Sequence, residues 1–261
     1  MKLILKNILK KNQKNIFLFI ILGVIVFVVF FSILNQERIG PPPFIHSQVL
    51  LNPPDYIYNV PPITDKDHVW GDYNAPVKVI EYSDTECPFC SRNYLIMKSL
   101  VNKYGGDIVW VYRHHTLDYR YAESKKEAEA SECAAIVGGE GAFWLFLDNA
   151  YLSTQSKDSL DTSLFLEFVS GLGVDGVQFE QCIENGEATR IIEQGNSEAA
   201  NSGLEFTPSM VIFWPDGERR SLIIGSRNSE TLEAAFDYVL GRDIDVEYTQ
   251  QVVDDTGSYS K

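Results

Sequence analysis

Cys87, Pro88, Phe89 and Cys90 set two sulfurs three residues apart, where a strand-like run, Val77 to Tyr82, gives way to a helix-like one, Ser91 to Tyr104. Thiols at that spacing on the first turn of a helix face the same side, roughly 5–6 Å apart at Cβ, so a disulfide closes with little adjustment. Pro88 suits the first helical position, where a missing N–H costs nothing, and this puts Cys87 at the N-cap. There its sulfur meets unpaired backbone N–H groups and the positive end of the helix dipole, both of which favour thiolate over thiol. The pattern predicts a redox-active dithiol in which Cys87 attacks and Cys90, one turn further in and better buried, resolves. Half a zinc site and an inert structural disulfide share the spacing, and the strand-then-helix placement favours the redox reading over both.

Around the motif, Asp84 and Glu86 oppose a thiolate on Cys87 electrostatically, while the helix terminus and Arg92 pull the other way. Cys133 and Cys182 fall on separate helix-like stretches with no metal-ligand spacing, and a structural disulfide is expected between them. Two buried free thiols and a second redox pair are the alternatives. The adjacent His114 and His115 invite a metal reading, yet neighbours on a strand point to opposite faces and no carboxylate or cysteine stands at ligand spacing, so no metal is expected. Gly138-Gly139-Glu140-Gly141 lacks the Lys-Ser/Thr of a phosphate loop and reads as a turn between helices. Phe143, Trp144 and Phe146 read as core.

The elements that must position the dithiol follow from periodicity. A short strand is expected around Asp67 to Trp70, a turn over Gly71 to Pro76, then the β-branched run 77–82 that leads into the motif. Ile108 to Tyr112 reads as a strand buried on both faces. From about Ala122 to Asn201 the chain is rich in Ala, Glu and Leu at helical spacing, four or five helices broken at Gly138-Gly139 and at Gly171 to Gly176. Met210 to Trp214 returns to strand character, Pro215-Asp216-Gly217 makes a turn, and Arg220 to Ile224 is the hairpin partner. A last helix is expected from an N-cap at about Ser229 to Leu240.

The 261 residues are 45% hydrophobic and 12% aromatic, enough for one sizeable globular domain with appendages. Ile16 to Leu34 is nineteen residues without a charge, long enough to cross a hydrocarbon core, and the five lysines before it place the N-terminus in the cytoplasm. A cleaved signal peptide competes, but the run is long for one and no A-x-A-like site follows. The sequence therefore predicts a cytoplasmic basic segment 1–15, an uncleaved anchor 16–34, a proline-rich stalk 35–64, a domain 65–242 and an acidic loose tail 243–261. The packing of Phe44 to Val60 on the domain surface is the rival to a free stalk. Net charge is −14 overall, +5 over residues 1–38 and so −19 over the rest, which excludes nucleic acid as a natural partner. Four cysteines in an exported chain suit an oxidising compartment.

Several stretches, in this order along the chain, resemble the DsbA-like thiol-disulfide oxidoreductases. They are Gly71-Asp72-Tyr73-Asn74-Ala75-Pro76-Val77, Glu81-Tyr82-Ser83-Asp84 before Cys87-Pro88-Phe89-Cys90, Ser131-Glu132-Cys133-Ala134-Ala135, Phe143-Trp144, and Phe206-Thr207-Pro208-Ser209. The resemblance implies an α/β thioredoxin-like fold with a helical insertion at about 122–201, here behind an N-terminal transmembrane helix. It implies a cis Thr207-Pro208 bond beside Cys87, where the residues alone favour trans. The backbone of Thr207 would then pair with a client peptide, in a groove that Phe89 and Pro88 help to form. The activity implied is disulfide donation to exported cysteine-containing clients, with reoxidation by a membrane partner and no cofactor. A reductase or isomerase of the same fold and a non-enzymatic thioredoxin-like scaffold are the alternatives. Two departures stand out: Phe206 replaces a glycine common before the Thr-Pro pair, and Phe89 stands where the prototype has histidine. A less oxidising dithiol than the prototype's is expected.

Overall fold

The computed structural model describes residues 48–50, 53, 55–120, 123–153, 162–171 and 173–242. Among the described residues six strands form one sheet: β1 (Gln48–Leu50), β2 (His68–Gly71), β3 (Val77–Ser83), β4 (Ile108–His114), β5 (Ser209–Phe213) and β6 (Arg220–Ile224), in the spatial order β1-β6-β5-β3-β4-β2. Only β3 and β4 run parallel, from Val77 beside Ile108 to Ser83 beside His114, because the helix between them returns the chain to the same edge. β5 lies antiparallel to β3 and turns through residues 214–219 into β6. The central strand β3 is buried along its length except at the half-buried Lys78, and among its apolar residues it carries one acid, Glu81, as suits a strand covered on both sides.

The crossover helix α1 (Pro88–Tyr104) buries Cys90, Asn93, Tyr94, Met97, Leu100, Val101 and Tyr104, a stripe at helical spacing. It ends at Gly105, whose φ of 56° is the left-handed conformation glycine adopts without steric cost, with its N–H on the Val101 carbonyl. On this face of the sheet Val77, Val79, Trp110, Tyr112, Met210 and Ile212 pack with α1 and with α7 (Ser229–Val239). The N-cap of α7 is Asn228, whose side chain accepts the Thr231 N–H, one residue earlier than the expected Ser229.

Between β4 and β5 stands the helical insertion: α2 (Ser124–Gly138), α3 (Glu140–Ser153), the short α4 (Phe165–Ser170), α5 (Gly176–Asn185) and α6 (Thr189–Asn201). Its own core is Cys133, Phe146, Phe165, Phe168, Phe179 and Cys182 with small residues between. The turn from α2 into α3 is Gly139 alone, with Gly138 ending one helix and Glu140 and Gly141 opening the next.

The opposite face of the sheet corrects the expected domain boundary. Ile80, Tyr82, Val109, Val111, Val211 and Leu222 are covered there by Ala199 and Leu204, and also by Ile57, Val60 and Ile63, which are 0%, 2% and 8% exposed. Arg113 at the end of β4 holds this segment by donating to the carbonyls of Pro61 and Pro62, both at 3.1 Å. β1 extends the sheet beyond β6. Residues 55–63 thus belong to the domain, which begins before the expected residue 65: a short 3-10 helix, Asp55–Asn59, and the proline-rich chain after it lay Ile57, Val60 and Ile63 on the sheet face. Among the described residues no helix is long and apolar enough to cross a membrane. The expected basic segment 1–15, anchor 16–34, first part of the stalk and tail 243–261 lie outside the described residues.

Candidate active site

The parallel pair β3 and β4 ends on one edge of the sheet, and the loop 84–87 carries the chain from there into α1. Cys87 is the N-cap of α1, with extended backbone at φ −82° and ψ 118°, and Pro88 follows at the first helical position. The Cys87 carbonyl accepts the N–H groups of Cys90 at 2.9 Å and Ser91 at 3.1 Å, which closes the first turn. Both cysteines are free thiols; Cys90 is fully buried, Cys87 is 2% exposed, and Phe89 between them is 56% exposed. Pro88 is exposed as well.

The start of β5 brings the second half of the site. The Thr207–Pro208 bond is cis, and the Cys87 thiol donates to the Thr207 carbonyl at 3.5 Å. Ser209 donates to the Phe206 carbonyl at 2.6 Å, and Gly225 donates its N–H to the Pro208 carbonyl at 2.8 Å, so the loop is tied at both sides. Pro88, Phe89, Cys87, Cys90, Thr207 and Pro208 therefore share one end of the sheet. Ser91 donates to the Tyr151 carbonyl, which sets the end of α3, with its 68% exposed Leu152, next to the motif. Phe89 and Leu152 leave apolar surface beside the sulfurs.

The two thiols are driven apart in acidity. A hydrogen bond from Cys90 lowers Cys87 most, and despite burial, Thr207 and the backbone N–H groups of Cys90 and Phe89 help bring it from 9.0 to about 6. Burial, and then that same bond to Cys87, push Cys90 well above the usual thiol range. At neutral pH one sulfur is a thiolate and its neighbour a thiol, the condition a thiol-disulfide exchanger requires.

The sequence reading missed Glu81 and Asn93. Glu81 is fully buried in β3, accepts from Ser83 Oγ at 3.0 Å and Asn93 Nδ2 at 2.9 Å, and is pushed by burial to about 7. Its charge adds to the causes that hold the Cys90 thiol protonated. Its signal was legible: a lone acid in a mostly apolar central strand is there for more than packing.

Asp84 opposes a charge on Cys87, as expected, and takes a further part as well. Burial raises it to about 7, and its oxygens accept the Leu117 N–H at 2.7 Å, the Ser124 hydroxyl at 2.7 and 2.9 Å and the Glu86 N–H at 3.0 Å. It fastens the loop 84–87 to α2 as well as facing Cys87. Arg92 is exposed, and among the described residues it forms no ion pair.

Cys133 and Cys182 form a disulfide that joins α2 to α5 inside the insertion, in a core separate from the dithiol. His114 Nε2 lies 3.2 Å from Ser131 Oγ and from Glu132, whereas His115 Nδ1 lies 3.4 Å from Asn196, so the two rings serve different helices. Among the described residues no group of three or more His, Cys, Asp or Glu side chains is placed to hold a metal.

Comparison with known proteins agrees with this geometry. A family model described as Thioredoxin matches residues 64–237. The crystal structure of Pseudomonas aeruginosa DsbA2 is similar at a TM-score of 0.57 and 27% identity, over 68% of this chain and 97% of that one. Wolbachia pipientis alpha-DsbA1 shares the fold at a TM-score of 0.58 and 23% identity, over 71% of this chain and 96% of that one. The curated relative Na(+)/H(+) antiporter NhaA 1 of Mycolicibacterium vanbaalenii is 30% identical over 57% of this chain, and the match spans only 23% of the antiporter's length.

Proposed function

The chain belongs to the thioredoxin family as a DsbA-like protein thiol-disulfide oxidoreductase, and on that premise we propose that it donates disulfides to exported proteins from the outer side of a membrane. The observation that carries the reading is an acidified Cys87 whose sulfur stands 3.5 Å from the Thr207 backbone, on the cis-proline loop. A stable thiolate favours the reduced enzyme over the reduced client, which is the thermodynamic condition for an oxidant.

A client thiolate attacks Cys87 in the Cys87–Cys90 disulfide. The bond between the two enzyme sulfurs breaks, and Cys90 leaves with the electron pair and takes a proton, for which Glu81 is the nearby buried acid. The client strand lies along the Thr207 backbone during the mixed disulfide, with Phe89 and Pro88 at its side. A second client thiolate attacks the first client sulfur and releases Cys87 as thiolate. Two client thiols become one disulfide, two electrons rest on the enzyme, one proton stays on Cys90 and one goes to solvent. The run Ile16 to Leu34 supplies the tether, and a thiol-oxidising membrane partner removes the two electrons. The −19 charge beyond residue 38 suits cysteine-containing peptides better than polyanions.

The reading is tested by following oxidation of a reduced two-cysteine peptide by the wild type and Cys87→Ser, and by trapping mixed disulfides in cells with Cys90→Ala. Cys87-dependent peptide oxidation and a mostly oxidised enzyme in cells are expected. A mostly reduced steady state makes the protein a reductase or isomerase instead, and the absence of Cys87-dependent turnover makes it a scaffold.

A further inference from the structure

Next to the dithiol lie two acids that disulfide exchange does not use. Glu86 immediately precedes Cys87, and Glu127 lies on α2; both are 0% exposed. Asp84 binds Ser124 and accepts the Glu86 N–H, and Ser124 and Glu127 are one turn apart on the same face of α2, so the two glutamates meet over that junction. None of their four carboxylate oxygens, nor the hydroxyl of the buried Thr85, makes a well-formed hydrogen bond among the described residues, although Thr85 and Glu86 both stand within reach of the Glu127 carboxyl. Neither glutamate joins an ion pair there. The other charged groups around α2 are engaged elsewhere: His114 with Ser131 and Glu132, His115 with Asn196, Glu129 with Thr189, Lys125 with Glu193 and Lys126 with Glu123. From α3, Tyr151 gives its hydroxyl to the Asp84 carbonyl.

Carboxylates only accept, so two of them ionised here would have little besides the Thr85 hydroxyl to donate to them and would set two buried charges side by side. A single proton cures both faults, since the protonated carboxyl donates to the ionised one. Burial, followed by the neighbouring Glu86, pushes Glu127 up to about 10.

We propose that Glu86 and Glu127 hold one proton and one negative charge between them, and that this shared charge, adjoining Cys87, sets how readily that sulfur carries its own. They are positioning residues, acting through Cys87 and not on the client, and the proposal rests on the function given above. Reduction of the Cys87–Cys90 bond by two client thiols leaves a thiolate on Cys87, a thiol on Cys90 and one proton released. The new charge tightens the hold of the pair on its own proton, and by reciprocity the pair restrains the acidity of Cys87.

The test counts charges. Glu127→Gln leaves the negative charge on Glu86 and is expected to keep the Cys87 titration and the redox equilibrium with glutathione within about twofold of wild type, whereas Glu86→Gln leaves Glu127, which burial favours neutral, and is expected to move both toward the double variant. The double variant removes the charge, and is expected to make Cys87 about three- to tenfold more acidic and the disulfide more oxidising by the same factor. Equal, additive steps from the two single variants would mean two independent charges, and an unmoved double variant would mean no coupling; either overturns the proposal. Should the variants fail to fold, carboxyl carbon resonances of the wild type decide: one glutamate of the pair stays protonated at neutral pH and titrates higher in the reduced than in the oxidised protein. Two ionised carboxylates, or one titration unchanged by redox state, refute it. Cys87 titration does not depend on turnover, so loss of client oxidation by the wild type would sink the function while leaving this proposal to stand or fall by itself.

Discussion

The sulfur of Cys87 lies 3.5 Å from the carbonyl oxygen of Thr207, a residue 120 positions further along the chain. A helix mouth and a strand start, brought together by the pairing of β3 with β5, make one site of two loops.

The Cys90 thiol is the largest cause of the acidity of Cys87. Cys90→Ala removes that donor while leaving the helix terminus in place. Its Cys87 is expected to titrate clearly above the wild-type value of about 6, toward the ordinary 9.0, in ultraviolet thiolate absorbance or alkylation rate against pH. An unchanged titration would move the cause to the helix backbone.

The Cys133–Cys182 bridge closes 49 residues of the insertion. Replacing both by alanine lengthens the freedom of the unfolded chain, and the expected loss is about 4 kcal/mol in urea unfolding. A thiol count on the unreduced, denatured protein with its dithiol in the reduced form should find two reactive sulfurs, not four.

His68 ties the edge strand β2 to the insertion, with Nδ1 2.8 Å from Glu140 and Nε2 3.1 Å from Glu132, its ring stacked on Phe143. Burial alone would lower this imidazole, but the two carboxylates raise it from 6.5 to about 9, and Glu132, which burial alone would raise, is held at about 2 by His114 and His68. A raised histidine contributes its full stability below its unfolded value of 6.5 and loses it as pH climbs through about 9. A depressed glutamate contributes above 4.5 and fails as pH falls toward about 2. The buried acids Glu81 and Asp84, both at about 7, also cost stability as pH rises from the acid range. His68→Gln should therefore flatten the loss between pH 6.5 and 9 and leave the earlier decline, as read from midpoints of denaturant unfolding.

Arg113 is 9% exposed and donates to Asp67 at 2.7 Å, Tyr82 at 3.1 Å and Glu198 at 3.3 Å besides the Pro61 and Pro62 carbonyls. Arg113→Met leaves buried acids and carbonyls without their cation, and the expected cost is about 3 kcal/mol. Limited proteolysis should then cut within residues 55–63 while the rest of the domain survives. Equal resistance in wild type and variant would show that Ile57, Val60 and Ile63 hold the segment without the guanidinium.

Gly195 of α6 lies against the backbone of His114, where a Cβ would strike the carbonyl oxygen. Alanine gains about 1 kcal/mol of helix propensity over glycine in open helix. Here the clash is with backbone and should reverse the sign, with a net loss of about 1–3 kcal/mol in unfolding free energy.

The amino-acid order determined by itself the elements around the dithiol, because each is set locally. The β-branched run at 77–82, the proline after Cys87 and the stripe along α1 fix strand, cap and helix within a few residues. The separation of the two cysteines along that first turn also follows from local geometry. The hairpin at 209–224 needed only its turn residues and two short runs of β-branched and apolar residues.

What folding alone decided was long-range. Proline density in 41–62 reads as chain that resists helix, but only the bare face of Ile80, Tyr82, Val109 and Val111 makes Ile57, Val60 and Ile63 its cover. Glu81 and Asn93 stand twelve residues apart and meet only because α1 folds back over β3. Glu86 and Glu127 look like two ordinary surface acids until the sheet edge and α2 close over them. Charge in a protein takes its meaning from the dielectric around it, and the surroundings of a residue are assembled by parts of the chain its neighbours in sequence do not specify.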